Sequence, residues 1–174
     1  MTADAPQIIV RVGTEDFDVG TEIDALQAGD PVIGAVASFV GYCRDEGGRL
    51  AALELEHYPG MAEAEIGRVA AEAAGRWPLL GIIVVHRAGR IRPGERIVLV
   101  AVSSSHRAAA FSACEYLMDF LKTRAPFWKK EHPAAGDDGG WVETKADDAA
   151  RADRWKDQAP TSPSAEGSPN LPDL

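Results

Sequence analysis

The sequence predicts an α+β fold, and three observations carry that reading. Strand-like and helix-like segments are interspersed without a strict βαβ rhythm, and several neighbouring strands read as hairpin-linked. The 45% hydrophobic content is spread along 174 residues, enough for one domain with a buried core. There is no GxGxxG, GxxxxGK[ST], HExxH or Gly-x-Ser-x-Gly sequence, which argues against dinucleotide, nucleoside triphosphate, zinc hydrolase and serine hydrolase chemistry.

The elements follow in order. Residues 8–12 form a first strand, and Thr21 caps a short helix to Gln27 in which Ile23 and Leu26 pack. An apolar strand over 34–43 leads through the turn Asp45-Glu46-Gly47-Gly48 to a returning strand over 50–57. Leu53 and Leu55 alternate there with Glu54 and Glu56, so the pair reads as a hairpin with Arg44 at its tip. Pro59-Gly60 breaks the chain before a helix over 62–77, whose apolar set is Ile66, Val69, Ala70, Ala73 and Trp77. The stretches 82–87 and 97–102 are β-branched and apolar enough to be strands buried on both faces. Pro93-Gly94 between them suits the centre of a type II turn.

The densest chemistry lies in residues 101–131. Ser103, Ser104 and Ser105 are natural N-caps for a helix starting near His106. Ala110, Phe111, Cys114, Leu117, Met118 and Leu121 fall on one face of it. A strand-to-helix turn with His106 and Arg107 offers donors to a phosphate or carboxylate; the same pair also fits a plain surface cap. Pro126 ends the helix, leaving Lys122 in its last turn, where a solvated lysine favoured by the helix dipole is the alternative. Trp128 beside Lys129 and Lys130 reads as a core aromatic next to solvated charge. Short strands over 127–131 and 141–144 flank a Gly- and Asp-rich loop, and a charged helix over 146–156 follows. Residues 158–174, rich in Pro and Ser, are expected to be a disordered tail after one domain over 1–157.

A net charge of −9 argues against broad binding of nucleic acid or anionic membranes, which need a basic face. No apolar run reaches membrane-spanning length and the N-terminus carries no signal-like pattern, so the expectation is a cytoplasmic protein. The two cysteines have no CxxC spacing and are expected to be reduced. Cys114 belongs to the core, whereas Cys43 beside Arg44 leaves room for a reactive thiolate. No metal site is visible, and no cofactor is expected.

The segments GAVASFVGYCR (34–44), LELEHYPGMAEAEI (53–66), VVHRAGRIRPGE (84–95), VSSSHRAAAFSACEYLMDFLKTRAPFWKKE (102–131) and GWVE (140–143) occur in this order. Together they resemble the large, catalytic subunit family of molybdopterin synthase, over about residues 7 to 156. The resemblance implies an α/β hammerhead-type fold with an additional antiparallel sheet. It implies a sulfurtransferase that converts cyclic pyranopterin monophosphate to molybdopterin by forming a dithiolene. The sulfur comes from the C-terminal Gly-Gly thiocarboxylate of a small ubiquitin-like partner, and a homodimer of catalytic subunits forms the centre of a heterotetramer. Carried over residue by residue, it implies catalytic lysines at Lys122 and Lys129. Substrate-binding positions fall at Tyr42, Cys43, Arg44, His106, Arg107, Lys130 and Glu131. A non-catalytic module that captures a phosphorylated small molecule or a Gly-Gly tail is the alternative. Arg107 and Lys122 lie fifteen positions apart on one helix, about 22 Å at 1.5 Å per residue, so both reach one substrate only if His106 and Arg107 come from a second subunit.

Overall fold

A computed structural model describes residues 5–45, 47–136, 139–143 and 146–156; the expectations for Glu46 and for the 158–174 tail lie outside them. Among the described residues eight strands form two sheets. β1 (Gln7–Gly13), β4 (Leu79–Arg87), β6 (Arg96–Ser104) and β2 (Ala35–Tyr42) make the first, in the order β1-β4-β6-β2. β1 and β4 are parallel, and the other two pairings are antiparallel. β5 (Gly89–Ile91), β3 (Leu50–His57), β7 (Phe127–Pro133) and β8 (Trp141–Val142) make a second, wholly antiparallel sheet in the order β5-β3-β7-β8. The α+β reading with an added antiparallel sheet therefore holds.

Alternation along the central strands explains the layers. Ile82 and Val84 of β4, with Val98, Val100 and Val102 of β6, pack under α2 (Met61–Arg76) and α3 (Arg107–Thr123). Ile83, Val85, Leu99 and Ala101 point the other way, into a second core with Phe17 and with Leu26 of α1 (Val19–Gln27). Period-2 side chains with apolar layers on both faces give the continuous hydrophobic runs read in the sequence. A third, small core of Cys43, Leu53, Leu55 and Ile91 joins the two sheets.

Four expectations are corrected. β2 and β3 do not form a hairpin: β2 pairs with β6 and β3 with β5 and β7. The chain thus passes from the first sheet to the second after β2, and Arg44 sits just beyond the end of that strand. Asp18, not Thr21, caps α1, its carboxylate accepting from the Thr21 N–H at 2.8 Å. Phe111 is 66% exposed, because α3 meets the sheet through Ala110, Ala113, Leu117 and Phe120, a stripe rotated off Phe111. Trp128 is 45% exposed and stacks edge-on to Tyr58 at 5.5 Å instead of entering the core. The 92–95 turn is as expected: the Glu95 N–H donates to the Arg92 carbonyl at 3.0 Å, with Gly94 at φ +87° in the position where a type II turn needs glycine.

The C-terminal elements α4 (Ala146–Asp153) and the following 3-10 turn (Arg154–Lys156) dock on α2 and α3 through Trp155 and Arg154. Trp155 is buried edge-on to Trp77 and Tyr116 at 5.7 and 5.4 Å, and its Nε1–H donates to Asp119 Oδ2 at 2.7 Å. The same carboxylate accepts from Arg154 at 2.9 Å. Trp155→Ala is expected to cost about 3–5 kcal/mol, by leaving a cavity where the indole packed and removing one of the donors to Asp119, measured as a fall in the denaturant midpoint.

Candidate functional site

A cleft of about 1010 Å³ opens where the C-terminal half of α3, the ends of β2, β4 and β6, and the inner face of the second sheet converge. Its geometry follows from how the chain leaves α3. The Arg124 and Ala125 N–H groups both return to the Phe120 carbonyl, at 2.8 and 3.3 Å. Pro126 then forbids another helical turn, and β7 starts at once against β3, with His57 opposite Phe127. The reversal brings Lys122, in the last turn of α3, and Lys129, the third residue of β7, onto walls of one cleft.

Alternation on β7 sorts the remaining candidates. Phe127, Lys129, Glu131 and Pro133 line the cleft, level with Leu53 and Leu55 of β3. Lys130 is not in the cleft: it lies opposite Glu54 and Trp141, with its Nζ 6.0 Å from the Trp141 ring centre. Tyr42, Cys43 and Arg44 bring the end of β2 to the cleft, with Arg49 beside them. Counting side chains, Arg44, Arg49, Lys122 and Lys129 stand against Glu131, Glu143 and Asp148, a locally cationic balance in an acidic chain.

Cys43 contributes its backbone more than its sulfur. Its N–H donates to the Glu95 carbonyl at 2.8 Å and its carbonyl accepts from Gly94 at 2.7 Å, which fixes the exit of β2. The side chain is 3% exposed and lies 3.8 Å from the Ile91 carbonyl. Burial pushes this thiol above its ordinary range and pushes the Cys114 thiol to about 11. The reactive-thiolate reading of Cys43 is thereby overturned, since the thiolate is the nucleophile. Iodoacetamide at about pH 8 is expected to label neither cysteine of the folded protein, and both after denaturation, as read by mass spectrometry.

His106 and Arg107 lie at the opposite end of α3 and do not line the cleft. Ser103 and Ser104 belong to β6, so the expected serine cap is corrected: His106 itself is the N-cap residue, with no side-chain cap bond. The buried Ser104 hydroxyl accepts from the His106 N–H at 3.2 Å and donates to the Pro78 carbonyl at 2.8 Å. His86, at the end of β4, lines the cleft although the sequence reading did not single it out; the available signal was one imidazole in an otherwise apolar buried strand. Gly139 sets the limit of the β7–β8 loop, because a Cβ there would lie 1.7 Å from the Glu131 carbonyl oxygen.

Among the described residues no group of three or more His, Cys, Asp or Glu is placed to hold a metal ion, and no helix is long and apolar enough to cross a membrane. Comparison with known proteins gives a consistent picture. The MoaE protein family matches residues 12–124. The chain is 65% identical over 147 residues to the molybdopterin synthase catalytic subunit of Mesorhizobium japonicum, covering 84% of this chain and 92% of that one. Its fold is similar to that of the molybdopterin biosynthesis MoaE protein from Burkholderia ambifaria, with a TM-score of 0.75 and 48% identity over 87% of this chain and all of that one. The fold also resembles a chain in the protein–protein complex of subunits 1 and 2 of the molybdopterin-converting factor from Helicobacter pylori, with a TM-score of 0.62, 20% identity, and 80% and 90% coverage.

Proposed function

From the premise that this chain belongs to the MoaE protein family, we propose that it converts cyclic pyranopterin monophosphate to molybdopterin, as the catalytic subunit of a molybdopterin synthase. On this reading it takes sulfur from the Gly-Gly thiocarboxylate of a small ubiquitin-like partner in the cytoplasm. The observation that supports it is the cleft that Lys122 and Lys129 share with Arg44 and Glu131.

Release of sulfur from an acyl donor passes through a tetrahedral oxyanion, and an ammonium aimed at that oxygen lowers the barrier. Closing the dithiolene also needs protons moved to and from the pterin side chain and its leaving group, work for a positioned amine or carboxylate. Lys122, Lys129 and Glu131 are the cleft side chains we assign to these tasks. Arg44 is suited to the substrate phosphate, since a guanidinium binds phosphate in a two-pronged fork. A small partner subunit would insert its extended C-terminus between the two sheets; the Helicobacter pylori complex, a two-subunit assembly, is in keeping with this.

His106 and Arg107 enter the scheme only from a second copy. They sit at the far end of α3 from Lys122, so in a central homodimer they would complete the neighbouring subunit's phosphate site. The deciding experiment combines this protein, a thiocarboxylated partner and cyclic pyranopterin monophosphate, and measures molybdopterin. Partner binding without product would leave a binding module and end the enzymatic reading.

A further inference from the structure

Burial along α4 and the turn after it follows helical spacing. Asp148 and Ala152 are half-buried and Trp155 is buried, at intervals of four and three, while residues 147, 149–151 and 153 are exposed. This face meets the end of α3: Ala152 and Thr123 line one small pocket, and Asp148 and Thr123 line the cleft. Asp148 therefore enters the cleft where α3 gives way to β7. It has no hydrogen bond or ion pair with any described residue. Of the cleft carboxylates among the described residues, Glu131 and Glu143 are exposed and Asp148 is half-buried. Taking a carboxylate partly out of water is costly unless a donor meets it, and a ligand in the cleft would supply one. Service to the helix dipole does not explain this placement, because Asp147 in the same first turn meets that need from an exposed position.

Register shows what lies along the rest of the cleft. Leu50 pairs with Pro133, and the Arg49 carbonyl accepts from the Ala134 N–H at 2.9 Å, so Arg49 stands at the Pro133 end of β7. Lys129 is four residues back along the strand, about 13 Å at 3.3 Å per residue. Phe127 lies two residues further, its ring stacked on His86 with centroids 4.0 Å apart and planes 14° from parallel. Along the cleft the order is thus guanidinium, lysine, flat aromatic wall and, from α4, carboxylate. A pterin phosphate carries the complementary groups in the same order: phosphate, reacting side chain, flat ring, and at the far edge the 2-amino and N3–H donors.

We propose that Asp148 is a specificity-determining residue, whose two carboxylate oxygens accept from the 2-amino group and the N3–H of the pterin. Two donors side by side fit a carboxylate as the prongs of a guanidinium do. That edge is remote from the reacting carbons, so the contact is made equally in the ground and transition states and governs KM more than kcat.

The proposal rests on the pterin substrate of the proposed function, and its test separates the two. Lumazine is pterin with an oxo group in place of the 2-amino group, which turns one donor into an acceptor facing the carboxylate. The full chain should bind pterin at least about tenfold more tightly than lumazine, read from the fluorescence of each ligand. Asp148→Asn should hold the two within about twofold, and Asp147→Asn should discriminate as the wild type does. In the reconstituted synthase, Asp148→Asn is expected to raise KM about ten- to hundredfold, the usual loss for one bond to a charged group, with kcat within about threefold. No preference in the wild type, or a preference kept in Asp148→Asn, would overturn the proposal. So would equal losses in Asp148→Asn and Asp147→Asn, which would mark damage to α4, or a fall in kcat with KM unchanged. The binding arm decides even if no molybdopterin forms, in which case the enzymatic reading falls and the pterin site stands. Circular dichroism confirms that each variant is folded.

Discussion

Alanine at Lys122 or Lys129 is expected to lower molybdopterin formation by about 10²- to 10⁴-fold, the range for removing a positioned proton-transfer group or an oxyanion donor. Folding should survive both changes. Lys122 is exposed in the last turn of α3 and Lys129 is half-buried on β7, and truncating a side chain outside the core usually shifts stability by about 0.5 kcal/mol or less. The partner's tail should still bind, because its main contacts would be backbone and apolar, with Leu53, Leu55 and Met118 among the cleft walls. The measurement is single-turnover product formation beside a partner-binding titration. Loss of product with retained binding is the signature of groups acting in the transition state. Parallel loss of both would instead make the lysines part of the docking surface. Lys130→Ala serves as an internal control. It lies one residue away on the other face of β7, so its effect should be far smaller.

How much of this was legible in the sequence depends on the range of the forces involved. The central strands were plain, because burial on both faces leaves an unbroken apolar run such as residues 97–102, and that needs no knowledge of the partner strand. The Pro93-Gly94 turn and the Pro126 break were equally plain, since both are local steric facts. Pairing was not: the 34–43 and 50–57 strands are neighbours in sequence, and only competition with strands distant in the chain assigns them to different sheets. Helical phase was legible to within one position, which is why Phe111 was placed in the core when Ala110 and Ala113 meet the sheet. The lysine pair came from a resemblance carried by long motifs. The face each residue takes on β7 came only from register, which separates Lys129 and Glu131 from Lys130. Trp155 and His86 were missed for a common reason: each acts through contacts more than thirty residues away, with Asp119 and Phe127 respectively, and no spacing rule reaches that far.

The reach of α3 leads to the second large effect. If each phosphate site is completed by His106 and Arg107 of the neighbouring subunit, Arg107→Ala should be nearly inactive, for it removes a two-pronged contact to the substrate phosphate. Lys122→Ala should be inactive for a different reason, and the two defects should complement. In a mixed dimer one cleft has an intact Lys122 from one chain and an intact Arg107 from the other, while the second cleft carries both lesions. Random exchange of equal amounts makes half the dimers mixed, and half of their clefts are sound. Activity should therefore recover to about one quarter of wild type. The experiment needs proof of exchange, obtained by native mass spectrometry of differently tagged chains. Exchange with no recovery would mean that His106 and Arg107 act within their own subunit or not on the substrate at all. The first alternative meets a fixed obstacle: both residues lie at the start of a helix of 17 residues, and about 1.5 Å per residue keeps them more than 20 Å from the lysine at its far end. A single pterin phosphate does not span that distance, so the quarter-activity result is the one the helix length demands if both groups serve one substrate molecule.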